Sequence, residues 1–313
     1  MRVVISEFME PAAVASLAAR FDTACDADLG EHRDQLKRLI ADADALIVRN
    51  KTQVDVELLA AAPQLKVVGR LGVGLDNIDV LTCKSRAIEI IPATGANALA
   101  VAEYVIAAAL ILLRGAYSST EAVAAGKWPR PALANGRELA DKIFGVVGFG
   151  QIGRLTGRLA CALGMKVIGF DAMIPADHPM WSAERTTARK FDEVLHEADV
   201  ISIHVPLTPA TRGLIDAGRL ALMKSDAVLI NTSRGEIVVE AALAAALKSG
   251  KLGGATLDVF EHEPLAAGSP LAGCPHLLLT PHIAGVTRES NVRVSTMIAD
   301  KVAAALERHR PKA

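Results

Sequence analysis

The sequence predicts an α/β protein of two doubly wound parallel-sheet domains, one inserted into the other, from three observations. Strand-like apolar runs alternate with helical stretches from end to end, the pattern of parallel sheets covered by helices. A glycine-rich turn, Gly148-Phe149-Gly150-Gln151-Ile152-Gly153, stands between a strand-like and a helix-like run. That turn lies mid-chain, so a unit of strands precedes it, and a last helix follows the final strand.

In order, Val3–Ile5, Ala45–Val48, Lys66–Gly69 and Glu89–Ile91 read as strands, with helices at Pro11–Arg20 and Val56–Ala61 between them. Ala98–Arg114 reads as a long helix that carries the chain onward, followed by an arm from Tyr117 to Arg137. Ile143-Phe144-Gly145-Val146-Val147 is a buried strand before the glycine turn, the run Arg154 to Leu163 a helix after it, and Lys166–Phe170 the next strand. Strands near Val200–Ile203, Ala227–Asn231, Ala255–Val259 and Leu277–Thr280 follow, with a helix at Glu240–Lys248 and a last one from Thr287 to about Arg308. The simplest organisation is a discontinuous first domain, residues 1–97 and 286–313, interrupted by a second, residues 98–285. Hinges are expected near Asn97 and Gly285, with the active site in the cleft between domains.

Composition narrows the function classes. A chain of 313 residues with 51% hydrophobic residues suits two ordinary domains. Its net charge of −1 presents no basic face for nucleic acid or an anionic membrane. Cys25, Cys83, Cys161 and Cys274 lie far apart, which suggests neither a zinc knuckle nor a redox dithiol; no metal is implied. The N-terminus reaches Glu7 too early for a signal peptide, and the apolar run Tyr104 to Leu113 is too short for a span of roughly 20 residues. A cytoplasmic enzyme is expected. In Ala98–Arg114, residues Leu99, Val101, Tyr104, Val105, Ile106, Leu110, Ile111, Leu112 and Leu113 cannot all face one core. The expectation is a two-fold homodimer joined through the second domain.

The glycine turn points to a dinucleotide. Gly148 permits the tight turn, Gly150 lets backbone approach a pyrophosphate, and Gly153 lets the helix pack close to the sheet. The helix N-terminus offers N–H groups and the positive end of its dipole to that anion. Asp171, at the end of the following strand and 18 residues past Gly153, can accept the ribose hydroxyls and repel a 2′-phosphate. Ala172-Met173-Ile174 supply no arginine for such a phosphate. The cofactor expected is NAD, in a Rossmann domain inserted into a smaller flavodoxin-like domain.

Six segments together resemble the D-2-hydroxyacid dehydrogenases. They are Val68-Gly69-Arg70-Leu71-Gly72-Val73-Gly74-Leu75-Asp76-Asn77-Ile78-Asp79, Gly148 to Gly153, and His204-Val205-Pro206-Leu207-Thr208-Pro209. The others are Asn231-Thr232-Ser233-Arg234-Gly235-Glu236-Ile237-Val238, Leu257 to Leu265, and Thr280-Pro281-His282-Ile283-Ala284-Gly285. The resemblance covers nearly the whole chain. It implies the two-domain fold, NAD-linked oxidation of a 2-hydroxy acid or the reverse reduction, and a homodimer.

Reducing a 2-oxo acid needs a hydride donor, a cation for the carboxylate and ketone, and a proton donor for the forming alkoxide. By resemblance Arg234 is the cation, and its planar fork can hold two oxygens together. His282 is the proton donor, and Glu263 the carboxylate that orients it; a neighbouring negative charge favours an imidazolium. His262 and His276 are competing histidines, Glu261 a competing acid, and His204 a residue that shapes the nicotinamide pocket. The resemblance places Gln151 and Ile152 at the pyrophosphate, with Val205, Thr211, Thr232, Ser233 and Gly285 near the cofactor and Asp258 by the carboxamide. Val73 and Gly74 donate backbone N–H groups to the substrate carboxylate.

The substrate is read from cations. Arg49, Lys51 and Arg70 follow successive strands of the first domain, which suggests a second anion on the substrate; surface ion pairs are the alternative. Val68-Gly69-Arg70 and Gly126-Lys127-Trp128-Pro129-Arg130 resemble the 3-phosphoglycerate dehydrogenase branch, although the chain ends at Ala313 without the C-terminal regulatory domain many of those carry. Ile5-Ser6-Glu7-Phe8-Met9 resembles the sulfolactate dehydrogenase branch. A glyoxylate or hydroxypyruvate reductase is the competing enzyme. Glu263 argues against a formate dehydrogenase, which places glutamine beside the histidine. NAD-binding co-repressors share the fold but carry peptide-binding extensions, where this chain has short termini.

Overall fold

The computed structural model describes residues 1–309. The chain divides into two compact units, Met1–Asn97 with the segment from Val286, and Ala98–Gly285.

The first unit is built on β1 (Arg2–Ile5), α1 (Pro11–Ala18), β2 (Asp22–Cys25), α2 (Arg33–Ile40), β3 (Ala45–Val48), α3 (Val56–Ala60), β4 (Val67–Arg70), α4 (Val80–Ser85) and β5 (Glu89–Pro92). Its sheet runs β2-β1-β3-β4-β5, every pair parallel. Side chains alternate across a strand, and here both faces are covered. Val3, Ile5, Ala45, Ile47 and Val67 pack against α1 and the C-terminal helix Arg288–Arg308. Val4, Leu46, Val48 and Val68 pack against Leu36, Ile40, Leu58, Leu59 and Cys83 of α2, α3 and α4. Two buried faces explain why these strands are continuously apolar. The C-terminal helix starts at Thr287, whose hydroxyl accepts the Ser290 N–H at 3.0 Å.

The second unit comprises α5 (Ala98–Arg114), α6 (Thr120–Ala124), α7 (Arg130–Leu133), β6 (Ile143–Val147), α8 (Gln151–Ala162), β7 (Lys166–Phe170), α9 (Met180–Ala183), β8 (Thr186–Ala188), α10 (Phe191–Glu197), β9 (Val200–Ile203), α11 (Ala217–Leu220), β10 (Val228–Asn231), α12 (Glu240–Lys248), β11 (Gly254–Leu257) and β12 (Leu277–Leu279). Its sheet runs β12-β11-β10-β9-β6-β7-β8, again all parallel. The order reverses at β6, between β7 and β9, which makes a crevice at the C-terminal ends of those strands. Helix α5 packs on α8 and β10, burying Val101, Val105, Ile106, Ala109 and Leu113, while Leu99, Leu110 and Ile111 stay exposed. Among the described residues no single helix is long and apolar enough to cross a membrane; Ala98–Arg114 and Ala116–Ala124 reach that apolarity only jointly, across a 68° bend.

Several boundaries differ from the sequence expectation. Helix α8 begins at Gln151, at the glycine turn itself, and not at Arg154. Strand β4 sits one residue later than Lys66–Gly69, and β11 ends at Leu257. Strands β2 and β8 have no counterpart in the sequence reading. Both are edge strands, and Asp22-Thr23-Ala24-Cys25 buries neither end residue, so the apolar signal of a central strand is missing.

Candidate active site

The glycine turn follows β6 directly. Gly148 has φ +96°, and a Cβ there would meet the His204 carbonyl oxygen at 2.6 Å, so both conformation and space demand glycine. A Cβ on Gly153 would lie 2.1 Å from the Gly148 carbonyl oxygen, the close packing that brings α8 onto the strand. Gly150 is extended, caps α8 without any side-chain hydrogen bond, and has open space where a Cβ would stand. The first turn of α8 thus presents backbone N–H groups of Gln151 and Ile152 without a side-chain cap.

Asp171 follows β7. Its Oδ2 accepts the Phe149 N–H at 2.7 Å and its Oδ1 the Met173 N–H at 2.8 Å. One carboxylate therefore ties the glycine turn to the next strand, and each oxygen keeps a lone pair for a ribose hydroxyl. From β9 come His204 and Val205, the latter with its side chain against Gly148. His204 Nε2 lies 2.9 Å from Ser202 Oγ, and burial pushes its imidazole down to about 4, so the ring is neutral at physiological pH. The Thr211 hydroxyl is committed to its own loop, donating to Pro206 O at 2.6 Å and accepting the Thr208 N–H at 2.8 Å. It shapes the loop around the crevice.

Strand β10 ends at Asn231, which is fully buried. Asn231 Nδ2 donates to Arg234 O at 2.8 Å, its Oδ1 accepts the Ser233 N–H at 3.0 Å, and Ser233 Oγ donates to Ile203 O at 2.6 Å. These bonds fold the chain back at the strand end and hold Arg234 in an extended conformation. Arg234 Nη1 donates to Ser233 O at 2.6 Å. Between them, Thr232 Oγ1 is buried with no hydrogen-bond partner. A buried hydroxyl without a partner costs roughly 1–3 kcal/mol, so it fits a polar group of a bound cofactor. The open cradle at Gly150, the uncapped helix and this hydroxyl together fit a dinucleotide.

His282 follows β12. Its Nδ1 lies 2.7 Å from Glu263 Oε2, and Glu263 Oε1 accepts the Phe260 N–H at 3.1 Å. The carboxylate holds the proton on Nδ1, leaving Nε2 to exchange a proton with a ligand. His282 has φ +54°, uncommon for a residue with a side chain. Asp258, 1% exposed, holds that conformation. Its carbonyl accepts the His282 N–H at 2.8 Å, Oδ1 the Ile283 N–H at 2.8 Å, and Oδ2 the Ala284 N–H at 2.7 Å. Thr280 Oγ1 donates to Oδ1 at 2.6 Å and pairs at 2.5 Å with the hydroxyl of Tyr104 on α5. Burial raises the Tyr104 phenol.

The other candidates separate by position. His276 precedes β12, at the opposite end of the strand from His282. His262 and Glu261 are exposed, and it is Glu263 that meets the histidine. Arg49, Arg70, Val73 and Gly74 belong to the first unit, where Val48 and Arg70 are paired in register. Arg49 Nη2 donates to Asn291 Oδ1 at 2.8 Å, and Arg70 Nη1 to Leu71 O at 3.0 Å. Gly285 ends the second unit. Tyr104 and Asn231 were not among the sequence candidates. Neither carries a chemical signature, and only the fold brings Tyr104 to Thr280.

Residues 106–284 match the model of the D-isomer specific 2-hydroxyacid dehydrogenase NAD binding domain. The chain is 52% identical over 305 residues to an (S)-sulfolactate dehydrogenase of Chromohalobacter salexigens, covering 97% of this chain and 98% of that protein. It is 38% identical to a D-3-phosphoglycerate dehydrogenase of Archaeoglobus fulgidus over 87% of this chain, but spans only 51% of that relative. The structure of a D-lactate dehydrogenase from Aquifex aeolicus, complexed with NAD and lactic acid, superposes with a TM-score of 0.86 at 28% identity, covering 97% of this chain and 95% of the other.

Proposed function

Because the chain belongs to the D-isomer specific 2-hydroxyacid dehydrogenases, NAD-dependent enzymes that interconvert 2-hydroxy and 2-oxo acids, we propose that its substrate carries a second anionic group, of the sulfolactate or 3-phosphoglycerate type. Sulfolactate is the better supported of the two. The similarity to the sulfolactate dehydrogenase runs through 98% of that protein, whereas the chain spans about half of the phosphoglycerate dehydrogenase.

The observation that carries the reaction is the 2.7 Å pair of His282 and Glu263, in the same unit as Arg234, which follows β10, with β11 between it and the β12 that His282 follows. Arg234 holds the substrate carboxylate and polarises the ketone oxygen with its fork. His282 Nε2 gives a proton to the forming alkoxide in reduction and takes it back in oxidation. Val73 and Gly74 hold the carboxylate through backbone N–H groups, and Arg49 and Arg70 meet the second anion. The bound nicotinamide supplies or accepts the hydride. Gly148, Gly150, Gln151, Ile152 and Gly153 form the pyrophosphate cradle, and Asp171 takes the ribose. Val205, Thr211, Thr232, Ser233, Asp258 and Gly285 line the rest of the cofactor site.

The test is a substrate panel with NAD, following NADH absorbance with sulfolactate, 3-phosphoglycerate, lactate and glycerate. A kcat/KM for sulfolactate at least tenfold above that for lactate or glycerate is expected. Equal or better use of the singly charged acids refutes the second anion and favours a glyoxylate or hydroxypyruvate reductase. A homodimer in the cytoplasm belongs to the same proposal. Leu99, Leu110 and Ile111 on α5, with Tyr117 and Trp128 beyond it, are exposed apolar residues that a second copy would cover. Sedimentation at micromolar concentration decides, and a stable monomer rules the dimer out.

A further inference from the structure

Glu7 lies two residues past the end of β1 and is only 3% exposed. Carboxylates are almost never buried to this degree unless their charge is compensated. The compensation comes from four consecutive backbone amides of one loop. Oε1 accepts the N–H groups of Arg49 at 2.8 Å and Thr52 at 3.0 Å, and Oε2 those of Asn50 at 3.1 Å and Lys51 at 3.0 Å. The loop is held from its carbonyl side too. Asn77 Nδ2 donates to Thr52 O at 2.7 Å and Arg49 O at 3.3 Å, while Ser6 Oγ and Thr52 Oγ1 lie 2.8 Å apart.

Four donors at two oxygens need an ionised carboxylate. A glutamine would turn its own N–H groups against two of the amides. The loop so fixed follows β3, at the C-terminal edge where open parallel sheets bind ligands. It carries Arg49, while Lys51 Nζ is paired with Glu31 Oε1 at 2.5 Å on the surface, and Arg70 ends the adjacent strand β4. Arg49 reaches Asn291 Oδ1 at 2.8 Å, so its guanidinium is held in place as well as its backbone. The segment Ile5-Ser6-Glu7, with no part in the chemistry at Arg234 and His282, thereby acquires a task.

We infer that Glu7 is the positioning residue for substrate specificity: its buried carboxylate fixes the Arg49–Thr52 loop so that Arg49 meets the second anionic group of the substrate. This rests on the proposed substrate class. The expected signature is a split between substrates. Loosening the loop weakens binding of a doubly charged acid and leaves a singly charged one, which does not use Arg49, nearly unaffected.

The experiment compares the wild-type protein with Glu7→Gln, Glu7→Asp, Arg49→Gln and the double variant Glu7→Gln/Arg49→Gln, at saturating NAD, with sulfolactate and with glycerate. In Glu7→Gln the KM for sulfolactate should rise at least tenfold with kcat within about threefold, and the KM for glycerate should stay within about twofold. The double variant should be no worse than Arg49→Gln alone, because the two act through one loop. Glu7→Asp keeps the charge and should show the same split in smaller measure, which preserves the test if Glu7→Gln does not fold. Equal loss with both substrates, no loss, or additivity with Arg49→Gln overturns the role of Glu7 while leaving the substrate class standing. A wild-type protein that prefers neither sulfolactate nor 3-phosphoglycerate over glycerate overturns the substrate class, and this inference with it.

Discussion

Thr280→Val keeps the side-chain volume close and removes the hydroxyl that joins Tyr104 to Asp258. In the structure that hydroxyl donates to a carboxylate at 2.6 Å and pairs with the phenol at 2.5 Å. A hydrogen bond to a charged group is worth about 1.5–3 kcal/mol, and a partly buried phenol without its partner adds roughly 1 kcal/mol. The second unit should lose about 2.5–4 kcal/mol, a fall in Tm of roughly 6–10 °C for a domain of this size. Asp258 also holds the amides of Ile283 and Ala284 immediately after the left-handed His282 backbone. A slackened carboxylate lets the imidazole drift, and a 1 Å misplacement can cost about 10²-fold in rate. A kcat lower by about tenfold is therefore expected, with the Kd of NADH within about twofold of wild type. Thr280→Ser, which retains the hydroxyl, should recover most of both quantities. Thermal unfolding, steady-state kinetics and fluorescence titration of NADH measure them. Wild-type Tm and kcat in Thr280→Val, or equal damage in Thr280→Ser, would refute the reasoning.

Three further outcomes are expected. His282→Ala should lower kcat by about 10²–10⁴-fold while NADH affinity changes little, and near-wild-type turnover in stopped-flow assays would return attention to His262. Asp171→Asn leaves an amide N–H facing a backbone N–H at Phe149 or Met173; NAD affinity should drop about tenfold and the preference over NADP narrow, and a wild-type protein that already uses both cofactors equally would contradict this reading. The third concerns acid stability and His204, whose imidazole is held down to about 4 when folded against roughly 6.5 when unfolded. The unfolded chain binds the extra proton between those values, so this stabilisation is complete above about pH 6.5 and lost as pH falls towards 4. His204→Gln should lose less stability than wild type over that window in urea unfolding at a series of pH values; parallel curves would show that His204 does not titrate as described.

Much of the architecture was legible because its signals are local. Strands buried on both faces must be apolar throughout, so Ala45–Val48 and Val200–Ile203 stood out and occur with those bounds. The turn from Gly148 to Gly153 was legible because steric demands at two glycines leave no other residue possible. Edge strands β2 and β8 were not legible, since an edge needs no continuous apolar run. Arg234, Glu263 and His282 could be proposed from motif and resemblance, since a guanidinium, a carboxylate and an imidazole are suited by type to the roles proposed for them.

The sequence by itself determined the alternation of strands and helices, the nucleotide turn and the choice of Arg234, Glu263 and His282 as candidate reacting groups, because period, glycine spacing and side-chain chemistry are properties of short segments. Only the tertiary structure decided which side chains hold the site's segments in place. Nothing in the residue types of Tyr104, Thr280 and Asp258 announces that they form one chain of hydrogen bonds beneath His282. Nothing in Ser6-Glu7 announces a carboxylate gathering four amides more than forty residues downstream. Such contacts join segments far apart in the chain, and they exist only once parallel strands have brought their ends to a common edge.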